Sequence, residues 1–231
     1  PGGTANVANN ISSLGGKVTL LGVIGDDANS KILINELRKR KISRQGIFVE
    51  DNRYTTVKTR ILAGRQQVVR VDWEHTHDLS KELNAKILRY TEKNIGFFDA
   101  IIIEDYGKGV INAALLKELI SLARANKKII TVDPKEENFQ YYCQVTSVTP
   151  NRKELENAVR SLKIQDTTNR FRINTDKLFT DKHVDLAARQ ILDYLNLDSI
   201  LVTLGEQGMK LLEKNGRLTH IPTQAREVFD V

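Results

Sequence analysis

One cysteine, Cys143, in 231 residues excludes an intrachain disulfide framework and fits a reducing compartment such as the cytoplasm. No apolar run approaches the length of a membrane span, so a membrane partner is not expected. No internal repeat and no nucleic-acid-binding motif can be found. The chain starts at Pro1-Gly2-Gly3 rather than at a methionine, so a preceding segment is expected. The formal net charge of +6 suits a phosphate-bearing small molecule or a nucleic acid, and the second has no motif to support it. The basic run Arg38-Lys39-Arg40-Lys41 falls at the end of an expected helix, where cations meet the helix dipole favourably.

What is present reads as alternating helix and strand. A helix after Thr4 carries the stripe Val7, Ile11, Leu14 and ends at Gly15-Gly16. Val18 to Val23 reads as a buried strand, followed by Gly25-Asp26-Asp27 and a helix from about Asn29 with Ile32, Leu33 and Leu37 inward. Ile47 to Val49 reads as a short strand. Tyr54 to Leu62 and Gln66 to Trp73 alternate with period two around Ala63-Gly64-Arg65, the pattern of a β-hairpin. Val57, Thr59, Ile61, Val69, Val71 and Trp73 form an apolar face, and Lys58, Arg60, Arg70 and Asp72 a charged one. Such a pair is a flap rather than part of a covered sheet. From Ser80 onward, helices 80–95, 112–125, 152–162 and 181–195 alternate with strands 100–103, 128–132, 147–149 and 199–203. That is the signature of a mostly parallel, doubly covered α/β sheet. Residues 163–180 lack periodicity and read as a mobile surface insertion.

Ligands of open α/β sheets bind outside the carboxyl ends of the strands. Here those ends run into Glu104-Asp105-Tyr106-Gly107-Lys108-Gly109, Asp133-Pro134-Lys135, Pro150-Asn151-Arg152-Lys153-Glu154 and Thr203-Leu204-Gly205. Carboxylates for water-ligated magnesium, lysines for phosphate and bare glycine backbone for a nucleotide suit phosphoryl transfer. Each piece also has a plainer reading. Asn151-x-x-Glu154 is a helix capping box, Gly205 and Gly208 an ordinary hairpin turn, and Gly2-Gly3 a flexible start. Asp105, Asp133, Lys108 and Lys135 could be solvated loop residues. Their joint placement at consecutive strand ends is what favours a site.

The words Pro1-Gly2-Gly3-Thr4-Ala5-Asn6-Val7-Ala8, Gly25-Asp26-Asp27, Asn151-x-x-Glu154 and Val202-Thr203-x-Gly205-x-x-Gly208 occur in the order found in ribokinase-like (PfkB) carbohydrate kinases, which the chain resembles. Further words narrow the resemblance to the branch that phosphorylates D-glycero-β-D-manno-heptose 7-phosphate. They are Thr55-Thr56-x-Lys58-x-Arg60, Gln66 to Asp72, Glu104 to Gly109, Val132 to Lys135 and Ala225 to Val231. The resemblance implies a ribokinase-like α/β fold over 1–231, with 46–74 contributing to a β lid. It implies transfer of the ATP γ-phosphoryl group to the anomeric hydroxyl, with ATP, Mg2+ and K+ as cofactors. Gly2, Gly3, Asn6, Lys58, Arg60, Arg70, Asp105 and Lys108 would face the sugar phosphate. Lys135, Asn151, Glu154, Thr203, Gly205 and Gly208 would serve the nucleotide, with Asn151 and Glu154 ordering magnesium through water. Asp230 matches an aspartate beside a monovalent cation. The family's catalytic Gly-Ala-Gly-Asp would follow Val231, so no catalytic residue is expected within the chain. A homodimer through the lid, a fused adenylyltransferase domain and a role in lipopolysaccharide core synthesis are further implications. Another sugar kinase of the family, or an inactive binding domain, stays open at this point.

Overall fold

A computed structural model describes residues 2–64, 66–167, 169–173 and 177–224. They form two compact units. One holds the described residues up to Lys93 together with Tyr106–Asn112, and the other Asn94–Asp105 with the described residues from Ala113 onward.

The first unit opens with helix α1 (Thr4–Ser13), strand β1 (Thr19–Ile24), helix α2 (Ala28–Lys39) and strand β2 (Ser43–Val49). β1 and β2 pair in parallel. The small residues Ala5 and Ala8 face a cluster of Leu20, Leu37 and Ile42, so α1 packs through alanines. The expected stripe is displaced: Leu14 at its end is 88% exposed. Ile32 on α2 is also exposed, and Leu37 is the large residue that helix buries. At the β1–α2 turn, Asp27 caps the helix. Its Oδ1 accepts from Ser30 N at 2.8 Å and its Oδ2 from Thr55 N at 2.8 Å. Ser30 completes a reciprocal capping box, so this first-turn serine serves the turn directly. A Cβ on Gly25 would lie 2.0 Å from the Arg53 carbonyl oxygen, which leaves glycine as the residue that fits.

Strands β3 (Val57–Ala63) and β4 (Gln66–Trp73) form a separate antiparallel pair. A bulge interrupts the register, with Leu62 opposite Gln67 but Ile61 opposite Val69. The extra residue, Val68, matters because a one-residue slip exchanges the faces of a strand. Beyond it Thr59 meets Val71 and Val57 meets Trp73, so apolar faces apolar. That face remains open to solvent, with Trp73 62% exposed. Helix α3 (Lys81–Asn94) buries Leu83, Ile87 and Thr91. The buried Arg53 ties this unit together by bonding the Glu50 carboxylate, the Lys108 carbonyl at 3.1 Å and the His77 carbonyl at 2.8 Å. Gly109, at φ +73°, comes so close to His77 that an added Cβ would lie 1.8 Å from its oxygen.

The second unit is built on a six-stranded sheet of order β10-β9-β8-β7-β6-β5. Its strands are β5 (Ala100–Glu104), β6 (Ile129–Asp133), β7 (Ser147–Val148), β8 (Ser199–Thr203), β9 (Met209–Glu213) and β10 (Leu218–Ile221). β5 to β8 run parallel, and β9 and β10 add an antiparallel edge. Helices α4 (Ala113–Ala125), α5 (Arg152–Gln165) and α6 (Asp181–Leu195) supply the crossovers, with a 3-10 turn over Glu136–Tyr141 between β6 and β7. Leu115, Leu116, Ile130, Val132, Phe139, Tyr142, Leu155, Ile191 and Leu192 are fully enclosed.

Between α5 and α6, described residues pack inward where a surface insertion is expected. Phe171, Ile173 and Leu178 are buried. Burial of each such side chain is worth roughly 1.5–3 kcal/mol. Side chains replace the missing ladder: Gln190 Oε1 accepts from Arg172 N and Ile173 N, both at 3.2 Å, and Glu156 Oε1 from Leu178 N at 3.0 Å. Satisfied backbone lets an irregular segment pack inward.

Asp27 gives a test of the first unit. Desolvation alone would raise its pKa, but the N–H groups of Thr55 and Ser30 hold it below the ordinary 3.8. A depressed folded pKa stabilises above the unfolded value and is lost as pH falls through the folded one. Asp27→Ala should therefore cost about 1 kcal/mol at neutral pH. In thermal melts the gap to the wild-type protein should narrow below pH 3.8. A gap that stays constant down to pH 2 would contradict the cap.

Candidate active site

Because β5 to β8 are parallel, their carboxyl ends share one rim. Glu104 on β5 lies in register with Asp133 on β6, and Asp105 N bonds Asp133 O at 3.1 Å. An isolated parallel bridge joins Asn151 to Thr203, and Thr203 N bonds Pro150 O at 3.0 Å. Strand pairing therefore brings Asp105, Lys135, Asn151, Glu154, Thr203 and Gly205 to that edge of the second unit.

The rim is rich in carboxylates that resist ionisation. Burial first, then the neighbouring Asp133, pushes Glu104 up to about 7. Burial also raises Asp133, against the Thr149 hydroxyl. Glu154 is raised by burial and by Asp133, opposed by the Asn151 N–H and the Lys135 charge. Carboxyls that repel one another favour an arriving cation or a shared proton. Among the described residues, no three His, Cys, Asp or Glu side chains form a metal cage. The donor set instead fits magnesium, which keeps much of its water and takes one or two protein carboxylates.

Asn151 and Glu154 do form a capping box at α5. Asn151 Oδ1 accepts from Glu154 N at 2.9 Å, and Glu154 Oε2 accepts from Asn151 N at 2.8 Å. The plain capping reading is therefore present in the geometry, and it fixes the Asn151 side chain at the mouth of a groove. That groove, about 400 Å³, is lined by Asn151, Arg152, Lys153, Thr203, Leu204, Gly205, Glu206 and Gln207. The glycine turn is likewise a β8–β9 hairpin turn, closed by Leu204 N to Gly208 O at 2.8 Å, while forming one groove wall. Gly205 has φ +61°, and no atom lies within 4 Å of where its Cβ would stand. Its backbone is open to a ligand.

Sequence reading passed over Arg152. Its guanidinium reaches Gln207 Oε1 at 3.0 Å and stands 4.0 Å from Asp181 Oδ1. Asp181 also faces the buried Lys210 at 3.3 Å, and Lys210 bonds Asp185 at 2.8 Å. The available signal was Arg152-Lys153 in a helix first turn, where cations oppose the dipole and an anion would relieve them.

The first unit holds the other candidates. Gly3 stands before α1 at φ 54°, ψ −142°, a conformation suited to glycine, with its Cβ position 3.5 Å from the Tyr106 ring. Gly2 has no atom within 4 Å of its Cβ position, and Asn6 is exposed. The flap cations are largely matched by carboxylates. Lys58 reaches Asp72 at 2.8 Å and Glu74 at 3.5 Å, Arg70 reaches Asp72 at 3.0 Å, and Lys108 reaches Glu74 at 2.5 Å. Arg60 lies directly across from Arg70 and has no carboxylate partner among the described residues. Asp230 lies outside the described residues.

Residues 1–231 match the family described as pfkB family carbohydrate kinase. The chain is 42% identical over 232 residues to the bifunctional protein HldE of Helicobacter pylori strain HPAG1, covering 100% of this chain and 46% of that protein. It is 36% identical over 230 residues to the bifunctional protein HldE of Pelobacter propionicus, covering 44% of it. The chain thus spans less than half the length of these relatives. Among solved structures, the tetrameric inhibited form of Escherichia coli phosphofructokinase-2 matches with TM-score 0.74 and 19% identity, over 98% of this chain and 69% of that one. Arabidopsis thaliana ribokinase complexed with ribose and ATP matches with TM-score 0.68 and 15% identity, over 98% and 68%. These likenesses show a ribokinase-like α/β fold.

The two turn glycines should respond differently to alanine. Gly205→Ala introduces a left-handed residue into open space, a cost of roughly 1–2 kcal/mol. Gly208→Ala adds a Cβ 2.1 Å from the Ile221 oxygen at φ +86°, so β10 must move. Thermal unfolding should show a clearly larger loss for Gly208→Ala. Equal losses would contradict the placement of Gly208 against β10.

Proposed function

Because this chain belongs to the pfkB family of carbohydrate kinases, we propose that it binds ATP and a sugar phosphate for transfer of the γ-phosphoryl group to the sugar's anomeric hydroxyl. D-glycero-β-D-manno-heptose 7-phosphate is the substrate that its sequence words favour. The product, the 1,7-bisphosphate, would feed lipopolysaccharide core synthesis in the cytoplasm. The carrying observation is the groove between Asn151 and the Thr203–Gln207 turn, which opens beside the carboxylates at the strand ends.

Bound ATP supplies the phosphoryl group, and Mg2+ offsets charge on its phosphates. The chain's own residues position and screen. Thr203 and Gly205 offer one wall to the nucleotide, and Gly208 keeps the turn in shape. Arg152, Lys153 and Lys135 counter phosphate charge. Asn151 and Glu154, oriented by their mutual hydrogen bonds, order the water shell of the metal, with Asp133 beside Glu154. Asp105 serves the sugar. Gly2, Gly3 and Asn6 meet sugar hydroxyls, and the charged flap meets the substrate's own phosphate. Among the described flap residues Arg60 is the cation we assign to it, because Lys58 and Arg70 are already paired. A planar guanidinium binds phosphate through two parallel hydrogen bonds.

The exposed apolar face of the flap, with Ile61, Val69, Val71 and Trp73, is the surface we assign to a homodimer contact. Asp230 is assigned to a K+ site, and an adenylyltransferase domain to the remainder of a bifunctional protein. No helix among the described residues is long and apolar enough to cross a membrane.

Two substitutions in the full-length protein test the assignment together. Glu154→Gln retains a capping side chain but removes the charge, so kcat should fall at least tenfold with a nearly unchanged Tm. Arg60→Ala should raise KM for heptose 7-phosphate roughly tenfold and leave KM for ATP in place. Normal kcat with a lowered Tm for Glu154→Gln would reduce that residue to a cap. A shift confined to ATP in Arg60→Ala would remove the flap from the sugar-phosphate site.

A further inference from the structure

The Tyr142 hydroxyl lies in the second unit at the end of the 3-10 turn that follows β6. Its side chain is fully buried, and the ring packs edge-on against Phe139 at 5.7 Å between centroids. The hydroxyl lies 2.7 Å from Asp105 Oδ2 and accepts from Lys135 N at 3.0 Å. Its single proton goes to the carboxylate, since the alternative acceptor, Lys135 O, is 3.4 Å away. Asn138 Nδ2 donates to the same Asp105 oxygen at 2.7 Å. A buried carboxylate is retained only when donors compensate for lost water. Tyr142 and Asn138 supply that compensation from one short turn. They couple the exit of β5 to the exit of β6, because Tyr142 holds the Asp105 carboxylate and the Lys135 backbone at once.

Hydrogen bonding at this separation asks more of Tyr142 than filling space. A phenylalanine would occupy the same volume against Phe139. The hydroxyl instead sets the direction of Asp105 and the path of the chain into Lys135. Burial and the Asp105 charge raise its pKa, so the phenol stays a donor across the working pH range.

We infer that Tyr142, seconded by Asn138, is a positioning residue of the sugar-phosphate site, acting through Asp105. The inference rests on the reading of Asp105 as a substrate contact. Tyr142 acts through Asp105 rather than by touching substrate.

The test is a kinetic cycle on the full-length protein with ATP and D-glycero-β-D-manno-heptose 7-phosphate, using Tyr142→Phe, Asp105→Asn and the double variant. A hydrogen bond to a charged group is strong, so Tyr142→Phe should lower kcat/KM for the sugar phosphate roughly ten- to a hundredfold. KM for ATP should change less than about twofold. In the Asp105→Asn background Tyr142→Phe should add little, because the two residues act as one unit. A merely structural tyrosine would lower Tm and give additive losses without separating sugar from ATP. Asn138→Ala provides a second route should Tyr142→Phe fold poorly, with the same split between sugar and ATP. Impaired Asp105→Asn beside unimpaired Tyr142→Phe and Asn138→Ala overturns the positioning role alone. Wild-type behaviour of Asp105→Asn overturns the reading of Asp105, and the positioning role falls with it.

Discussion

Parallel pairing of β5 through β8 is the constraint on which the site depends. Each parallel strand leaves the sheet at the same edge, and α4, the segment holding the 3-10 turn, and α5 with α6 return the chain to the opposite one. Four exits, at Glu104-Asp105, Asp133, Asn151 and Thr203, then stand in a row whatever residues occupy the helices. Local devices fix the side chains at those exits. The capping box orients Asn151 and Glu154, and the hairpin turn presents Gly205. Structural and functional readings of these residues are therefore not rivals. A cap that holds a carboxylate still is what a ligand site built on a helix start requires.

Electrostatics give the rim its direction of action. Glu104, Asp133 and Glu154 are all raised by burial, and Asp133 raises both of the others. Across the groove mouth Arg152 and Lys153 crowd a helix start that already carries positive dipole. Glu104 and Asp133 stand side by side on one part of the rim, and Arg152 and Lys153 on another, with Asp181 and Glu156 as their nearest carboxylates. The magnesium-bound polyphosphate of the proposed function would bring a cation and an anion to that rim together.

Much of this could be read from the sequence, because period, turn residues and strand-end motifs are local. The hairpin faces were legible from alternation, although the Val68 bulge that reconciles them was not. What escaped reading depends on tertiary partners. Nothing adjacent to Tyr142 announces that its hydroxyl meets Asp105, thirty-seven positions away. Phe171, Ile173 and Leu178 pack inward without periodicity because Asp166, Gln190 and Glu156 side chains satisfy their backbone N–H groups. The flap cations looked available for phosphate until the register placed Asp72 opposite Lys58. On α1, short alanines outcompeted larger neighbours for the core, which hydrophobicity alone would not suggest.

The proposed reaction is phosphoryl transfer to a sugar that already carries a phosphate. The most direct measurement is phosphorus-31 NMR of the full-length protein with ATP and Mg2+, offered heptose 7-phosphate, fructose 6-phosphate, ribose and free heptose in turn. A new anomeric phosphate resonance should grow with ADP only for heptose 7-phosphate, or at least tenfold faster for it than for the others. Equal or faster transfer to an unphosphorylated sugar would contradict the reading of the flap and of the site it serves.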